Sequence, residues 1–342
     1  MAARSVLETS ANGGTTRRRR RGRWVLALAG LYAAAAGGAQ IAWWLVGDDW
    51  WSQPLNLTTF YWSLPAVPLV VLAGLRRAWR SAALLAVPAG IFLWSYGGLF
   101  VGAPPAAHAD LRVATYNTYI RAPDVSHVVS LVHRDRPDVL LLQELLPARA
   151  DQLRARLADQ LPHAWFGEPG RVGGVGVLSR SPIVEVRPVE SVGGPSRRTA
   201  VVVVEVDGRR VQVVAVHLTS PCRTCGSSVV ARQTFEAEMR RRETDVVLAA
   251  LDPDVPAVVG GDLNSTRRSD PYRRLTAAGF RDPQIEAGSG PGFTWPDGSG
   301  PFLRIDWVLV RDLVPAGAWV GPPRGSDHRP AVVDLAWHGE AG

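Results

Sequence analysis

Residues 257–264 have the sequence Ala-Val-Val-Gly-Gly-Asp-Leu-Asn, a short apolar run that ends in an acid and an amide. The apolar part predicts a buried strand, and the polar part falls where that strand ends. Strand ends meet along one edge of a sheet, so side chains there can line a common crevice. Taken alone, Asp262 and Asn264 are equally consistent with a surface turn. Their interpretation depends on what the other strand ends carry.

Acids, amides or imidazoles also end or interrupt other apolar runs of the chain. These are Tyr116-Asn117, Gln143-Glu144, His217, Asp306 within Leu303–Val310, and Ser326-Asp327-His328. Each has an ordinary explanation as a solvated strand end or a loop. Together they match what metal-assisted hydrolysis of a phosphate ester needs: oxygen ligands for a hard cation, a base for water and an acid for the leaving oxygen. A carboxylate buried in a strand, such as Asp306, also needs a cationic or imidazole partner.

Strand and helix patterns alternate along the chain after residue 110. Leu111–Asn117 alternates like a strand, Asp124–Arg134 fits a helix, and Ser228–Leu251 fits a long amphipathic helix. Asp207-Gly208 lies between two β-branched runs and predicts a hairpin. The strand-rich middle with flanking helices predicts stacked sheets whose outer faces carry helices.

In this order and spacing, the motifs resemble the endonuclease/exonuclease/phosphatase superfamily, which includes DNase I-like nucleases, neutral sphingomyelinases and inositol phosphatases. The resemblance extends over roughly residues 110–338 and depends mainly on Gly261-Asp262-Leu263-Asn264 and Ser326-Asp327-His328. It implies an α/β fold, a four-layer sandwich of two mixed sheets. It also implies a hydrolase of phosphoric esters or anhydrides that requires Mg²⁺, with Mn²⁺ as the alternative.

The resemblance implies a metal site at the end of the second strand. Glu144 corresponds to the Mg²⁺ ligand of the family. Asn117 corresponds to a residue close to the metal, able to contact the substrate as well, and Asp327 is a further candidate ligand.

The resemblance also implies catalytic roles. Asp262 and Asn264 correspond to the pair that positions the attacking water and a phosphate oxygen. His328 corresponds to the imidazole that contacts the phosphate, with Asp306 orienting it, and His217 is the candidate acid for the leaving group. Either Asp262 or His328 is the base, and the sequence leaves this choice open.

Two local features differ from the nuclease branch of the family. Arg198 precedes a predicted strand and is a candidate phosphate contact, with a solvated hairpin rim as the alternative. Cys222 and Cys225 follow His217 closely, and outside the membrane we expect them to form a local disulfide. A thioredoxin-like redox site would need a different βαβ context.

The first third of the chain has the composition of a membrane segment. Uncharged runs cover Trp24–Val46 and Trp50–Leu75, and a third begins at Ser81 with its core at residues 82–101. About 20 apolar residues cross a bilayer. We therefore expect a basic disordered tail over 1–23, a three-helix transmembrane anchor over 24–102, a linker over 103–109 and a catalytic domain over 110–342. The runs lack ionisable residues, which argues against a transporter.

The charge distribution predicts the orientation of the chain. All 38 basic residues are arginine, and ten of them with three acids lie in residues 1–103, which accounts for the net charge of +7. Arginines precede the first run and fill the connection at residues 76–80, while the connection at 47–56 has none. The positive-inside rule then places the N-terminus in the cytoplasm and the catalytic domain outside. That domain is neutral, which excludes a strongly basic nucleic-acid surface.

These observations predict an integral membrane phosphohydrolase whose extracytoplasmic site acts on a membrane lipid or a lipid-linked phosphate or pyrophosphate. The alternatives are an extracellular nuclease, a sphingomyelinase-type phosphodiesterase and a catalytically inactive binding module. Three spans followed by an outward domain of this size also resemble the teicoplanin-resistance membrane proteins of the VanJ type. That resemblance implies a cell-wall polyprenyl pyrophosphate as substrate and a role in glycopeptide resistance.

Overall fold

The computed structural model describes residues 4–102, 108–168, 173–190, 199–221, 229–297, 300–323 and 325–338. The helices are α1 (Arg4–Leu45), α2 (Gln53–Leu57), α3 (Thr59–Ser63), α4 (Ala66–Leu75), α5 (Trp79–Tyr96), α6 (Ser126–Asp135), α7 (Pro147–Arg156), α8 (Val229–Ala250), α9 (Asp270–Ala277) and α10 (Pro283–Glu286), with a 3₁₀ turn at Gly97–Phe100. The strands are β1 (Leu111–Asn117), β2 (Val139–Leu145), β3 (His163–Phe166), β4 (Gly174–Ser179), β5 (Ile183–Pro188), β6 (Ala200–Val206), β7 (Arg209–His217), β8 (Ala257–Asp262), β9 (Asp306–Arg311), β10 (Leu313–Val320) and β11 (Ala331–Trp337).

The chain forms two compact units. The helical unit contains α1 and α3 to α5, and the catalytic unit contains the chain from Gly98 onward together with Gly47–Leu57. The connection Gly47–Leu57, which the sequence assigns to the anchor, therefore belongs to the catalytic unit. Its polar side chains are buried there, whereas an undocked connection would leave them in water.

Among the residues that the structure describes, two helices are long and apolar enough to cross a membrane, namely Gly22–Leu45 and Trp79–Phe100. The middle segment, Thr59–Leu75, is shorter and is interrupted between α3 and α4, where Pro65 lies. Proline lacks the N–H that a continuing helix would need and clashes with the preceding turn. The expected three uniform spans are therefore two long helices and one shorter, broken one.

The structure describes residues 4–23, which we expected to belong to a disordered tail, as part of helix α1. Helix α1 begins at Arg4 and continues without a break to Leu45. The apolar half of α1 supplies a formed helix, and adding residues to a formed helix costs far less than nucleating one. Arginine is also a good helix former, so the basic run prolongs the helix.

Two mixed sheets form the catalytic unit, as expected. The six-stranded sheet has the order β10-β11-β1-β2-β4-β3, and the five-stranded sheet has the order β5-β6-β7-β8-β9. The pairs β1–β2 and β7–β8 are parallel, and the other pairs are antiparallel. Parallel neighbours end at the same edge, so each sheet brings two strand ends together.

Apolar residues of both sheets meet in one core between them, which includes Val113, Leu141, Val213 and Val258. The outer face of the six-stranded sheet packs against α6 and α7, and that of the five-stranded sheet against α8 and α9. Four layers result. The sheets approach so closely that a Cβ on Gly260 would lie 2.6 Å from Cδ1 of Leu141.

Candidate active site

The register of the strands in the two sheets brings the predicted polar residues close together. In the parallel pair β1–β2, Asn117 lies opposite Gln143, and in β7–β8, His217 lies opposite Asp262. The antiparallel pair β8–β9 places Asp306 opposite Asp262. The ends of both sheets thereby contribute to one cluster.

Glu144 is held in a special backbone conformation. It has φ of +55° at an irregularity in the pairing of β2 with β4, and non-glycine residues enter this region rarely. Its Oε2 accepts a hydrogen bond from the Ile120 N–H at 2.7 Å, and its Oε1 accepts one from Asn117 Nδ2 at 3.2 Å. A Cβ on Gly173 would lie 2.5 Å from the Glu144 carbonyl carbon, so this neighbour has to be glycine. The strain at Glu144 is maintained by packing, as is common at functional sites.

Asp262 is the centre of the cluster. Its Oδ1 accepts the Asn264 N–H at 2.8 Å, and its Oδ2 accepts Asn117 Nδ2 at 3.1 Å. The Nε2 atoms of His217 and His328 each lie 3.8 Å from Oδ2. Burial raises the pKa of Asp262 to about 7, although the nearby His328 lowers it.

His328 and Asp306 form a buried pair. Nδ1 of His328 lies 2.8 Å from Oδ2 of Asp306, and both residues are nearly inaccessible to solvent. Burial alone would lower the pKa of His328, but the carboxylates of Asp306, Asp262 and Asp327 raise it to about 10. His328 is therefore an imidazolium at neutral pH. Its Nε2–H is the proton donor that is left to face Asp262 and a substrate.

The donor set suits a hard divalent cation at Glu144. Each carboxylate oxygen of Glu144 accepts one hydrogen bond from the described residues, which leaves lone pairs for a ligand, and the side chain is 19% exposed. Asn117 lies beside it, with Nδ2 toward Glu144, while its Oδ1 accepts the Tyr119 N–H at 3.0 Å. The carboxylate oxygens of Glu144 are therefore the ligands that this geometry offers to Mg²⁺ or Mn²⁺. Oxygen or nitrogen atoms of Asp262, Asp306 and His328 also gather within 4.8 Å of one another. Nδ1 of His328 already bonds to Oδ2 of Asp306, so we interpret that trio as a proton relay.

The remaining predicted residues lie around this cluster or outside the described part. His217 Nε2 lies 4.0 Å from Glu144 Oε1, close to both carboxylates of the site. Asn264 has φ of +48°, and its Nδ2 donates to the Leu218 carbonyl at 3.0 Å. Asp327 is half-buried, and its backbone carbonyl accepts the Asp297 N–H, while no contact joins it to Glu144 among the described residues. Arg198, Cys222 and Cys225 lie outside the described residues.

The sequence did not predict the residues that hold the site through backbone contacts. The guanidinium of Arg149 donates to the carbonyls of Tyr119 and Ile120 at 2.9 and 3.0 Å, and so fixes the loop whose N–H holds Glu144. Ser326 Oγ donates to the Asn117 carbonyl at 2.7 Å and accepts the His328 N–H at 3.0 Å. Such roles depend on tertiary placement and leave no local pattern, except that Ser326 is adjacent to Asp327 in sequence.

The two mixed sheets, with this cluster at their strand ends, define an α/β fold of the DNase I-like type, which is a fold of hydrolases. The profile of the Endonuclease/Exonuclease/phosphatase family matches residues 114–328, from the second half of β1 to His328. The chain belongs to this family, whose members hydrolyse phosphoester bonds and typically depend on a divalent metal.

Solved structures agree with this membership. An endonuclease/exonuclease/phosphatase from Beutenbergia cavernae is 26% identical, with 67% of this chain and 72% of that chain covered and a TM-score of 0.53. A family member from Bacteroides vulgatus is 20% identical, with 68% and 100% covered and a TM-score of 0.54. An AP endonuclease from Archaeoglobus fulgidus is 16% identical, with 65% and 98% covered and a TM-score of 0.52, and shares the fold. The comparison with curated proteins found no match.

Proposed function

We propose that this chain is a membrane-anchored, Mg²⁺-dependent hydrolase of phosphoric esters or anhydrides. The observation that carries the proposal is the buried Asp306–His328–Asp262 relay, with Glu144 joined to Asp262 through Asn117. The relay provides a base and a positively charged proton donor within 4 Å of each other. Mn²⁺ is the alternative cation.

Each chemical step has a residue in place. Asp262, with its pKa near 7, takes the proton of the attacking water as the new P–O bond forms. The His328 imidazolium, oriented by Asp306, donates its Nε2–H to the phosphoryl oxygens, where negative charge develops. His217, whose Nε2 lies 3.8 Å from Asp262 Oδ2, is the proposed proton donor to the leaving oxygen as the old P–O bond breaks. A cation held by Glu144 would neutralise charge on the phosphate. We assign the role of base to Asp262, because an imidazolium at His328 cannot accept a proton.

Chain connectivity supports three membrane crossings. Gly47–Leu57 and the chain from Gly98 belong to one compact unit, so we place both on the same side of the membrane. The chain between them then crosses an even number of times. Trp79–Phe100 is long enough to cross once, so Thr59–Leu75 supplies the other crossing. Its 17 residues reach about 26 Å as a helix, near the lower limit for a span.

The arginines agree with this arrangement independently. With three crossings, the run Arg17–Arg21 and the connection with Arg76, Arg77 and Arg80 lie together on the side opposite the catalytic unit. The positive-inside rule makes that side the cytoplasm. We therefore propose an extracytoplasmic active site in a multi-pass membrane protein.

A lipid-linked pyrophosphate is the proposed substrate. The catalytic unit cannot leave the membrane, so lipid headgroups are concentrated near it, whereas a soluble substrate gains nothing from the anchor. Its 28 arginines are balanced by 28 acids after residue 103, which gives little general attraction for a long polyanion such as DNA. By architecture the proposal extends to a polyprenyl pyrophosphate of cell-wall synthesis and to glycopeptide resistance.

The test compares turnover of a polyprenyl pyrophosphate, sphingomyelin and duplex DNA by one preparation of the full-length protein in vesicles. We expect phosphate release from the pyrophosphate to be fastest. Faster hydrolysis of sphingomyelin would replace the proposal with a phosphodiesterase, and faster cleavage of DNA would replace it with a nuclease. Asp262→Asn in the same vesicles controls for contaminating hydrolases.

A further inference from the structure

The connection Gly47–Leu57 is built around buried polar groups. Asp48, Ser52, Gln53 and Asn56 are each at most 3% exposed. Nδ2 of Asn56 donates to Oδ1 of Asp48 at 2.9 Å and to the Gly47 carbonyl at 3.1 Å, and Ser52 Oγ donates to the same carbonyl at 2.7 Å. Buried polar groups in a short connection cost free energy unless they are paired, and Asp48, Ser52 and Asn56 are paired within it. The loop is therefore preorganised.

Asp48 of this loop and Asp270, at the start of α9, hold each other through reciprocal hydrogen bonds. Asp48 Oδ2 accepts the Asp270 N–H at 2.9 Å, and Asp270 Oδ2 accepts the Asp48 N–H at 3.2 Å. The first N–H groups of a helix have no partner within the helix, so Asp48 supplies one from 222 residues away. Nη1 of Arg241 bridges the pair, 3.1 Å from both the Asp48 carbonyl and Asp270 Oδ2.

Gly47 allows the close approach of the two segments. Its φ is +71°, and a Cβ there would lie 2.5 Å from Oδ1 of Asp270. Asn56 adds a second contact, because its carbonyl accepts a hydrogen bond from Thr266 Oγ1 at 3.4 Å. The loop thus contacts residues 266 and 270, on the segment that follows Asn264.

Asp48 of the same loop attracts the charge of Arg240, and Arg240 contacts the segment that follows His217. Arg240 is 1% exposed, and its Nη1 donates to the Thr219 carbonyl at 2.9 Å. Asp48 is the acid that interacts most strongly with the Arg240 guanidinium. The Leu218 carbonyl in turn accepts Asn264 Nδ2, so the two segments that Asp48 supports are joined beside Asp262.

We infer that Asp48, with Asn56, is a positioning residue of the active site, so that the connection between the first two apolar segments is part of the catalytic apparatus. It fixes residues 264–270, and Asn264 joins this segment to the Leu218 carbonyl. The inference rests on the proposed hydrolase function wherever its test measures kcat. It predicts that the membrane anchor does more than hold the catalytic unit at the bilayer.

An exchange of two side chains tests the inference in the full-length protein. Asp48→Asn leaves one oxygen where two accept, so it gives up either Asn56 Nδ2 or the Asp270 N–H, and Asn56→Asp places a carboxylate against the Asp48 carboxylate. The double variant restores the bond between positions 48 and 56 with donor and acceptor reversed, and its amide oxygen at position 48 can still accept the Asp270 N–H. Only the bond from position 56 to the Gly47 carbonyl stays lost. Asp49→Asn is the matched control, since it removes the same charge from the same loop, where the Asp49 carboxylate accepts the Trp50 N–H.

We expect kcat per folded protein to fall about 10- to 100-fold in each single variant with a smaller change in KM, because a displacement of about 1 Å costs that much. The double variant should recover part of the loss, and Asp49→Asn should leave kcat unchanged. Hydrogen–deuterium exchange should show faster uptake at residues 264–275 in the single variants, restored in the double variant, with β11 unaffected.

Two outcomes would overturn the inference. Faster exchange at residues 264–275 with unchanged kcat would show that the loop is docked without positioning the site. Unchanged exchange in both single variants would show that the docking contact itself is absent. If the wild-type protein hydrolyses no phosphate substrate, the exchange arm still reports on docking, so failure of the proposed function is distinguished from failure of this inference.

Discussion

The carboxylate of Asp306 is fully buried, and Oδ1 has no hydrogen-bond partner among the described residues. Its other oxygen bonds to His328, so the charge of Asp306 is compensated mainly through that imidazolium. Removing one partner of a buried pair leaves the other uncompensated, which costs far more than the pair contributes as a whole. The orientation of the His328 ring therefore depends on its contact with Asp306, which is also the carboxylate that raises the pKa of His328 most.

His328→Ala and Asp306→Ala should each lower kcat strongly, and the double variant should be little worse than either single variant. Residues that act as a unit show such non-additive losses. Each single variant should also lose about 3–5 kcal/mol of unfolding free energy, because a buried charge is left alone. Kinetics and denaturant unfolding of the three variants measure both effects. Losses that multiply in the double variant would show that the two residues do not act as a pair.

The activity should rise with pH through about 7 and fall again near 10. Asp262 must be ionised to accept a proton, and its pKa is raised to about 7, while His328 must stay protonated, with a pKa of about 10. The contribution of Asp262 to the free energy of unfolding has the opposite pH dependence from that of an acid whose pKa is lowered by folding. Its raised pKa means that its favourable contribution is present at low pH and is lost as pH rises through about 7. The pH profile of kcat/KM tests the predicted rise and fall of activity, and a flat profile between about pH 5 and 8 would remove Asp262 as the base.

Glu144→Gln should lower phosphate release by at least about 100-fold and abolish stabilisation by Mg²⁺. The amide retains the shape of the side chain but loses the charge that binds a hard cation. Thermal unfolding with and without Mg²⁺ reports cation binding apart from activity. Asp327→Asn is the comparison, since the structure shows no described contact of Asp327 with Glu144. Equal cation stabilisation of wild type and Glu144→Gln would place the metal elsewhere.

At the scale of elements, the strand ends were predictable and the loops between them were not. Asn117, Asp262 and Asp306 lie at the ends of apolar runs or within them, and such runs leave a visible mark in the sequence. The φ of +55° at Glu144 and the Arg149 clamp depend on contacts between segments that are distant along the chain. No local pattern encodes such contacts.

For the helical segments before residue 103, the sequence likewise predicted elements but not the contacts between distant segments. Apolar length predicted the helices at Gly22–Leu45 and Trp79–Phe100, because length and composition alone decide that question. Composition also suggested a disordered tail before them, where the structure instead extends α1 to Arg4. The docking of Gly47–Leu57 was missed because Asp48 resembles any solvated loop acid until Asp270 is placed beside it.

Gly261→Ala should disrupt the edge that carries the active site. Gly261 has φ of +147°, and a Cβ there would lie 1.9 Å from the Val216 carbonyl oxygen, between β7 and β8. We expect the variant to lose several kcal/mol of stability, or to fail to fold. Gly208→Ala, at φ of +77° with nothing within 4 Å of the added Cβ, isolates the cost of backbone strain and should lose about 1 kcal/mol. Similar unfolding midpoints for both variants would show that β7 and β8 do not approach this closely.

In the whole molecule, the proposed topology has three membrane crossings. Single cysteines placed at Thr15, at Arg77 and at the exposed His338 should differ in their reaction with a membrane-impermeant maleimide in intact cells, in a background with Cys222 and Cys225 replaced by serine. We expect labelling from outside at His338→Cys, and labelling of the first two positions only after permeabilisation. External labelling at Arg77→Cys would contradict the proposed topology.

The central claim is that the cluster of Glu144, Asp262 and His328 hydrolyses a phosphate bond with the help of a divalent cation. The most direct measurement is inorganic phosphate release from a polyprenyl pyrophosphate by full-length wild type and Asp262→Asn in vesicles, across a titration of Mg²⁺. The account predicts release by the wild type that saturates with Mg²⁺, stops in excess EDTA and falls at least about 100-fold in Asp262→Asn. Equal release by the two proteins, or release that persists in EDTA, would contradict it.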